Sequence, residues 1–380
     1  MVVGNDLSVK IGVFSMSNIK KVCVLAGDGI GPEVMAEGLK ILNVLAKALG
    51  ITLDLQEALI GGAAYDVTGS PLPESTVALA KACEVVLLGA VGDFKYDSLP
   101  PERRPEQGLL GIRKALNLYA NIRPVKAYDA LLSASTLKAD VIQGVDLMVV
   151  RELTGGLYFG QPKIQNQDDA VDTLSYQRYE IERIVRDAFV LAQQRQKRLC
   201  SVDKANVLAT SRLWRAVVEE MSVDFPDVAL SHMYVDNAAM QLILNPRQFD
   251  VMVTENTFGD ILSDEASMLT GSLGMLSSAS FGTDAYALYE PSHGSAPGLA
   301  GKNIANPIAT ILSVKALVAT SWQAPLLAQQ VDVAIEAVLA KGLRTQDIAQ
   351  AGDTVVGTRE MGDAIAEALT SLCASSVTVG

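Results

Sequence analysis

Histidine is the scarcest chemistry-bearing residue in this sequence: His232 and His293 are the only two among 380 residues. That argues against a histidine-rich metal site and leaves little from which to build a Ser-His triad. Cysteine is nearly as sparse. Cys23, Cys83, Cys200 and Cys373 are scattered with no C-x-x-C spacing, so zinc is not indicated and the economical reading is reduced, mostly buried thiols in a cytoplasmic protein. Positive charge is also short. A formal net charge of −12 argues against a nucleic-acid or anionic-membrane surface, where a basic stripe is expected, so any anionic ligand must be caught by locally clustered arginines. No run reaches the roughly 18 uncharged apolar residues of a membrane-spanning helix. The N-terminus lacks the basic start and apolar core of a secretory signal, and residues 1–15 read as an extension ahead of a first strand. No internal repeat or low-complexity linker interrupts the chain.

What is present is an ordinary globular composition, 49% hydrophobic and 19% charged, at a length that suggests about two domains. Short Val/Leu/Ile-rich runs alternate with longer amphipathic stretches, the pattern of a largely parallel α/β architecture. Lys21–Ala26, Glu84–Gly89 and Leu147–Arg151 read as strands, and Pro32–Leu49 as a helix with proline in its first turn. Leu109–Arg113 reads as a helix start, and a further segment, Leu118–Arg123, is expected to end at Pro124. Gln161–Tyr176 is polar enough to be an excursion such as an arm. Helices are expected over Gln177–Lys197, Ile304–Ala319 and Val331–Lys341. Two domains without a linker suggest discontinuous domains that share a cleft, which favours ligands between them.

The most informative stretch runs from Phe249-Asp-Val-Met-Val-Thr254 through Glu-Asn-Thr-Phe-Gly259 into Asp260-Ile-Leu-Ser-Asp264-Glu265. On a helix, Asp260 and Asp264 project from one face with Cβ atoms about 5–6 Å apart and repel unless something positive lies between them. A hard divalent cation such as Mg²⁺, held by one or two carboxylates with its other positions open, is one reading. A solvated acidic helix start is the other. Gly27-Asp-Gly-Ile-Gly-Pro-Glu33 follows the first strand but fails the G-x-G-x-x-G pattern; it reads as a tight strand-to-helix turn whose backbone N–H groups remain candidates for meeting a cofactor. Arg113, Arg123 and Arg151 each end an apolar segment. If they converge, their rigid forks suit a dicarboxylate; singly, each is a scaffold ion pair. Tyr158, after the Gly155-Gly156 turn, is a proton donor or a half-buried aromatic. Lys204 is a general base if burial or a cationic neighbour lowers its pKa, and otherwise a solvated lysine. Asp236 adds a third acid after a short apolar run.

Taken together, Gly27–Glu33, Val150-Arg-Glu-Leu-Thr-Gly-Gly-Leu-Tyr-Phe-Gly160, Asp203-Lys-Ala-Asn206, Tyr234-Val-Asp-Asn237, Phe258–Glu265 and Ile304-Ala-Asn-Pro307 resemble the isocitrate/isopropylmalate family of decarboxylating β-hydroxyacid dehydrogenases, its isopropylmalate branch above all. The resemblance runs in order from about residue 17 onward. It implies an α/β, isopropylmalate-dehydrogenase-like two-domain fold that is not Rossmann, with the active site in the interdomain cleft. Residues 17–118 plus 271–380 would form the cofactor-side domain, 119–270 the dimerisation and substrate domain with an arm near 158–176, and 1–16 an extension. It also implies a homodimer with shared active sites.

By the same resemblance, Asp260 and Asp264 bind Mg²⁺ or Mn²⁺ with Asp236 from the other subunit, and Arg113, Arg123 and Arg151 hold the substrate carboxylates. Tyr158, with Lys204 from the partner chain, handles protons. Glu106, Leu109, Leu110 and the partner chain's Val207 correspond to positions near the isopropyl group and the nicotinamide, two leucines being suited to a branched alkyl group. Asn206, Glu290, His293, Gly294, Ser295, Ala296 and Asn306 fall in segments that meet NAD. The implied reaction is NAD-dependent oxidative decarboxylation of 3-isopropylmalate to 4-methyl-2-oxopentanoate in leucine biosynthesis. Relatives acting on tartrate or malate, isocitrate or homoisocitrate, and an inactive metal-binding homologue, are the alternatives. One departure stands out. The family's Gly-Ser-Ala-Pro-Asp-Ile-Ala-Gly loop reads Gly294-Ser-Ala-Pro-Gly298-Leu299-Ala-Gly301 here, removing an acid that bonds the adenosine ribose. No Lys-Tyr pair replaces it, so NAD remains the expected cofactor.

Overall fold

The computed structural model describes residues 18–377, so the extension expected over 1–16 lies outside the described residues. The chain opens with β1 (Ile19–Gly27), α1 (Gly31–Ala48), β2 (Thr52–Glu57), α2 (Gly61–Thr68), α3 (Glu74–Cys83) and β3 (Val85–Ala90). Next come α4 (Glu106–Ala115), β4 (Leu118–Lys126), the short α5 (Ala139–Ile142) and β5 (Asp146–Glu152). A small ribbon, β6 (Ile164–Gln165) with β7 (Ala170–Val171), fills the stretch expected to be an arm. It leads to α6 (Arg178–Gln193), β8 (Arg198–Asp203), α7 (Ala209–Ser222), β9 (Ala229–Tyr234), α8 (Val235–Leu244), β10 (Val251–Thr254) and α9 (Asn256–Ser267). The chain then runs through β11 (Ser277–Gly282), β12 (Ala287–Pro291), α10 (Ile308–Thr320), α11 (Pro325–Ala340), the pair β13 (Leu343–Arg344) and β14 (Thr354–Val355), and α12 (Thr358–Val377).

Ten strands form one sheet in the order β2-β1-β3-β12-β11-β4-β5-β10-β8-β9. Its two wings are parallel, as the alternating pattern predicts. The centre is not: β12 with β11, β11 with β4, and β4 with β5 are all antiparallel. The short connection from Gly282 to Ala287 permits only a hairpin between β11 and β12. The segment expected to end at Pro124 is a strand, β4, that continues to Lys126. Pro124 lies past Ile122, the last residue paired with β11, where one side of β4 is already free of a ladder, the setting in which a strand tolerates proline.

Element ends shift for local reasons. α10 begins at Ile308, not Ile304, because Asn306 Oδ1 caps it by accepting from Ile308 N at 3.0 Å behind Pro307. α6 is shorter than expected and starts at a capping box in which Gln177 and Glu180 satisfy each other's backbone N–H groups.

The helices lie on both faces. On one face α1, α10, α11 and α12, together with α6 and α7, enclose one apolar core that includes Leu42, Phe189, Tyr289 and Val314. On the other face there are two cores. One lies under α2–α4 (Leu25, Ile60, Leu88, Ile112) and one under α8–α9 (Val125, Leu147, Leu242, Leu262). Between them the antiparallel centre of the sheet is left as a floor.

Candidate active site

Strand alternation delivers the first functional side chains to that floor. Along β4, Ile122 enters the single core while Arg123 and Val125 point to the opposite face. Arg113 on α4, Arg123 on β4 and Arg151 on β5 line one cavity of about 460 Å³, and all three are buried. Each has an acidic partner. Arg113 Nη2 lies 2.6 Å from Glu290 Oε1 on β12, Arg123 Nη1 lies 3.2 Å from Asp264 Oδ1, and Arg151 Nη1 lies 2.5 Å from Asp260 Oδ1. Arg123 is further held by Asn121 Oδ1 at 2.9 Å and Ser263 Oγ at 2.7 Å. Asn121 is in turn tied to Ser278 and Ser280 on β11.

Confining three guanidinium groups in little water is costly. Burial, followed by the charge of Arg123, pushes Arg151 down to about 10, and burial lowers Arg123 as well. Arg113 Nε is buried with no partner.

Asp260 and Asp264 sit on α9, whose N-cap Glu255 accepts from Phe258 N. Burial pushes both carboxyls up. For Asp260 the neighbouring Arg151 and Arg123 outweigh it and leave the group below its ordinary value, whereas Asp264 stays above. Tyr158 reaches the same acid, its hydroxyl donating to Asp260 Oδ2 at 2.9 Å. Burial and the Asp260 charge raise the phenol to about 12, so it keeps its proton at neutral pH. Gly156 makes the preceding turn possible: its φ is +73°, and a Cβ there would lie 2.6 Å from the Tyr176 hydroxyl.

The third side of the cavity is the loop after β12. His293 is half-buried, and burial lowers its pKa, keeping the ring neutral. Nδ1 lies 2.9 Å from Gly294 O, which fixes the proton on that nitrogen and leaves Nε2 an acceptor, buried without a partner. Ser295 pins the loop, its hydroxyl donating to Gly92 O at 2.6 Å while its carbonyl accepts from Ile30 N at 2.8 Å. Gly29, at φ +56°, permits this approach, since a Cβ would fall 2.0 Å from Ser295 O. The N–H groups of Asp28, Ile30 and Gly31 are thereby spent on Ala90, Ser295 and Asp28 carbonyls. They are not the free anion donors that the Gly27–Glu33 turn offered in the sequence.

Comparison with known proteins identifies the family. Residues 21–365 match the family model described as isocitrate/isopropylmalate dehydrogenase. The 3-isopropylmalate dehydrogenase of Shouchella clausii (strain KSM-K16) is 56% identical over 361 residues, 94% of this chain and 99% of its own. That of Synechococcus sp. (strain JA-2-3B'a(2-13)) is 54% identical over 360 residues, 93% and 97% of the two chains. The chain belongs to the isocitrate/isopropylmalate dehydrogenase family. Among solved structures, the isocitrate dehydrogenase of Methylococcus capsulatus superposes with a TM-score of 0.82 at 33% identity, covering 92% of this chain and 99% of that one.

Within this family architecture the expected residues divide into three sets. Glu106, Leu109, Leu110, Arg113, Arg123, Arg151, Tyr158, Asp260, Glu290, His293 and Gly294 line the cavity, with Asp264 adjoining through Arg123. Lys204, Val207, Asn206 and Asp236 are absent from the lining of their own chain. Lys204 Nζ is instead 2.6 Å from Asp236 Oδ1, an acidic rather than a cationic neighbour. Ser295 and Ala296 hold the loop's shape, Ala296 at φ +38°, and Asn306 caps α10 while donating to Asp347 Oδ2 at 3.1 Å.

The sequence reading missed Asn256, Asn121 and Ser263, which grip the arginines, Ser278, which holds Asn121, and Lys163, which reaches the cavity from the ribbon segment. Asn256 stood inside the most informative stretch. Its only signal was an amide side chain placed between a buried strand and a helix.

Proposed function

We propose that the chain oxidatively decarboxylates 3-isopropylmalate to 4-methyl-2-oxopentanoate and CO₂, using NAD and a divalent cation, as a homodimer of chains with a cofactor-side domain (17–118 plus 271–380) and a dimerisation and substrate domain (119–270). The observation that carries this is the convergence of three buried arginines, Leu109 and Leu110 on one cavity. The arginines match two carboxylates and the leucines match a branched alkyl group.

Both absent groups fit the residues present. Asp260 and Asp264 offer the hard oxygen donors that Mg²⁺ or Mn²⁺ takes, and His293 and Gly294 line the side of the cavity where NAD would lie. When bound, the cation supplies Lewis acidity at the substrate's C2 oxygen and NAD supplies the hydride acceptor. Arg113, Arg123 and Arg151 fix the two carboxylates. Lys204, aided by Asp236, takes the hydroxyl proton as the C2 hydride leaves. After CO₂ departs, Tyr158, protonated and 2.9 Å from Asp260, delivers a proton to the carbon.

The dimer reading is supported by Lys204 and Asp236, which lie outside the cavity lining of their own chain. Asp236 and Lys204 complete the site only if a second copy brings them. Exposed Met240, Ile243 and Leu244 on α8, with Ile261 on α9, offer an apolar face for that copy. Asp236 shares the helical face of Met240 and Ile243, and Asp264 lies one turn from Ile261, so a copy seated there brings acids from two chains together.

Steady-state rates on 3-isopropylmalate, malate, tartrate, isocitrate and homoisocitrate, with Mg²⁺ and NAD, test the reading. Preference for isocitrate would move the chain to the other branch of the family. No NADH from any of them would leave an inactive cation-binding protein.

A further inference from the structure

Asn256 is fully buried at the first position of α9, and it lines the cavity. Its side-chain amide makes every hydrogen bond it has. Oδ1 accepts from Arg151 Nε at 3.0 Å and from Nη2 at 2.8 Å, and Nδ2 donates to Leu153 O at 3.1 Å and Gly155 O at 3.2 Å. Two donors on one side and two carbonyls on the other fix the orientation of the amide uniquely. No polar atom is left for a substrate, so Asn256 acts only through what it holds.

What it holds are two parts of the site that also meet at Asp260, where Arg151 and the Tyr158 hydroxyl each bond one carboxylate oxygen. One is the plane of the Arg151 guanidinium, whose remaining nitrogen meets Asp260. The other is the Leu153–Gly155 turn that aims Tyr158. The opposite edge of that turn is held by Glu152, which accepts from Thr154 N and Gly155 N. Asn256 is itself anchored, its backbone N–H donating to the Tyr176 hydroxyl at 3.0 Å, and the Tyr176 ring packs edge-on against Trp214 with centroids 5.8 Å apart.

We propose that Asn256, anchored by Tyr176, is a positioning residue that sets the distance between the carboxylate-binding fork of Arg151 and the proton-carrying hydroxyl of Tyr158. Because both hang from one amide, the grip on the substrate and the delivery of the proton stay in register. This rests on the reading that Arg151 binds a substrate carboxylate.

The test compares Asn256→Ala, Asn256→Asp, Tyr176→Phe and Arg151→Gln in the intact enzyme, with kcat, KM for 3-isopropylmalate and thermal melting for each. Asn256→Ala frees both parts, and kcat/KM should fall about a hundredfold, the scale of an ångström-sized misplacement. Asn256→Asp keeps an acceptor for Arg151 but loses both donors to the turn. Its KM should stay near that of the parent while kcat falls about tenfold or more. Tyr176→Phe keeps the ring against Trp214 and should lower kcat/KM severalfold, which decides the matter if the Asn256 variants do not fold. Lowered melting temperatures with unchanged kcat and KM in the folded Asn256 and Tyr176 variants would overturn the inference alone, provided Arg151→Gln raises KM. An unchanged KM in Arg151→Gln would overturn the reading of Arg151 and the inference with it.

Discussion

Asp260 divides its two carboxylate oxygens between Arg151 and Tyr158, Oδ1 accepting from Nη1 at 2.5 Å and Oδ2 from the phenol at 2.9 Å. The group proposed to hold a cation is therefore also the one that orients a substrate-binding arginine and a proton donor. Asp260→Asn keeps the shape and one acceptor oxygen but removes the charge. The expected result is a folded protein whose Mg²⁺-dependent kcat/KM drops more than about a hundredfold, beyond what loss of a merely supporting group costs. Calorimetric titration with Mg²⁺ in the presence of substrate should show the binding heat lost, and an unchanged rate would remove the cation from Asp260.

Leu109 and Leu110 supply the apolar wall beside Arg113 on α4. Replacing both with alanine opens space without adding polarity. The ratio of kcat/KM for 3-isopropylmalate over malate should fall by about 10–200-fold, the range available to hydrophobic discrimination of a few methyl groups. A ratio that stays constant would place the branched group elsewhere.

Leu244 and Ile261 are among the most exposed large apolar side chains, 68% and 60% accessible in the isolated chain. Leu244→Asp combined with Ile261→Asp should yield monomers in sedimentation equilibrium at micromolar concentration. Those monomers should be inactive, since Lys204 and Asp236 would have no cavity to complete. Full activity in a monomer would sink the shared-site proposal.

Asp187 gives a pH signature away from the site. Burial raises its carboxyl to about 6, although the Tyr119 hydroxyl donates to it at 2.7 Å. Its value in the folded state lies above the unfolded one. Below about pH 4 both states are protonated and nothing is lost. As pH rises from about 4 to 6 the unfolded chain ionises first, so stability declines and stays lower above that window. Asp187→Asn should remove the decline, raising stability at pH 7 by at most about 3 kcal/mol, as measured by urea unfolding at pH 4.5 and 7. An equal change at both pH values would assign the effect to packing instead.

The wings of the sheet were legible because Val85–Ala90 and Val251–Thr254 are continuous apolar runs, fully buried as central parallel strands must be. The antiparallel centre was not, because β4 pairs with residues more than 150 positions later and no local pattern reports such a partner. The acid pair was readable as a candidate from its four-residue spacing, and the arginines since each ends an apolar segment. Their mutual pairing was hidden for the same reason as the sheet order. Lys204 and Asp236 illustrate a different limit. Their spacing gave no hint that they pair with each other, and their proposed work belongs to a cavity in a second copy.

The hairpin of β11 and β12 is what joins the two wings, since β3 pairs only with β1 and β12, and β4 only with β11 and β5. During synthesis the ribosome therefore releases two half-sheets before their connector exists. A nascent chain that has not reached Ser277 presents β3 and β4 as open edges, the kind of surface on which strands from other molecules add. Adding the hairpin completes the hydrogen-bond ladder and brings Glu290 to Arg113, so the step that joins the two wings also supplies one wall of the cavity.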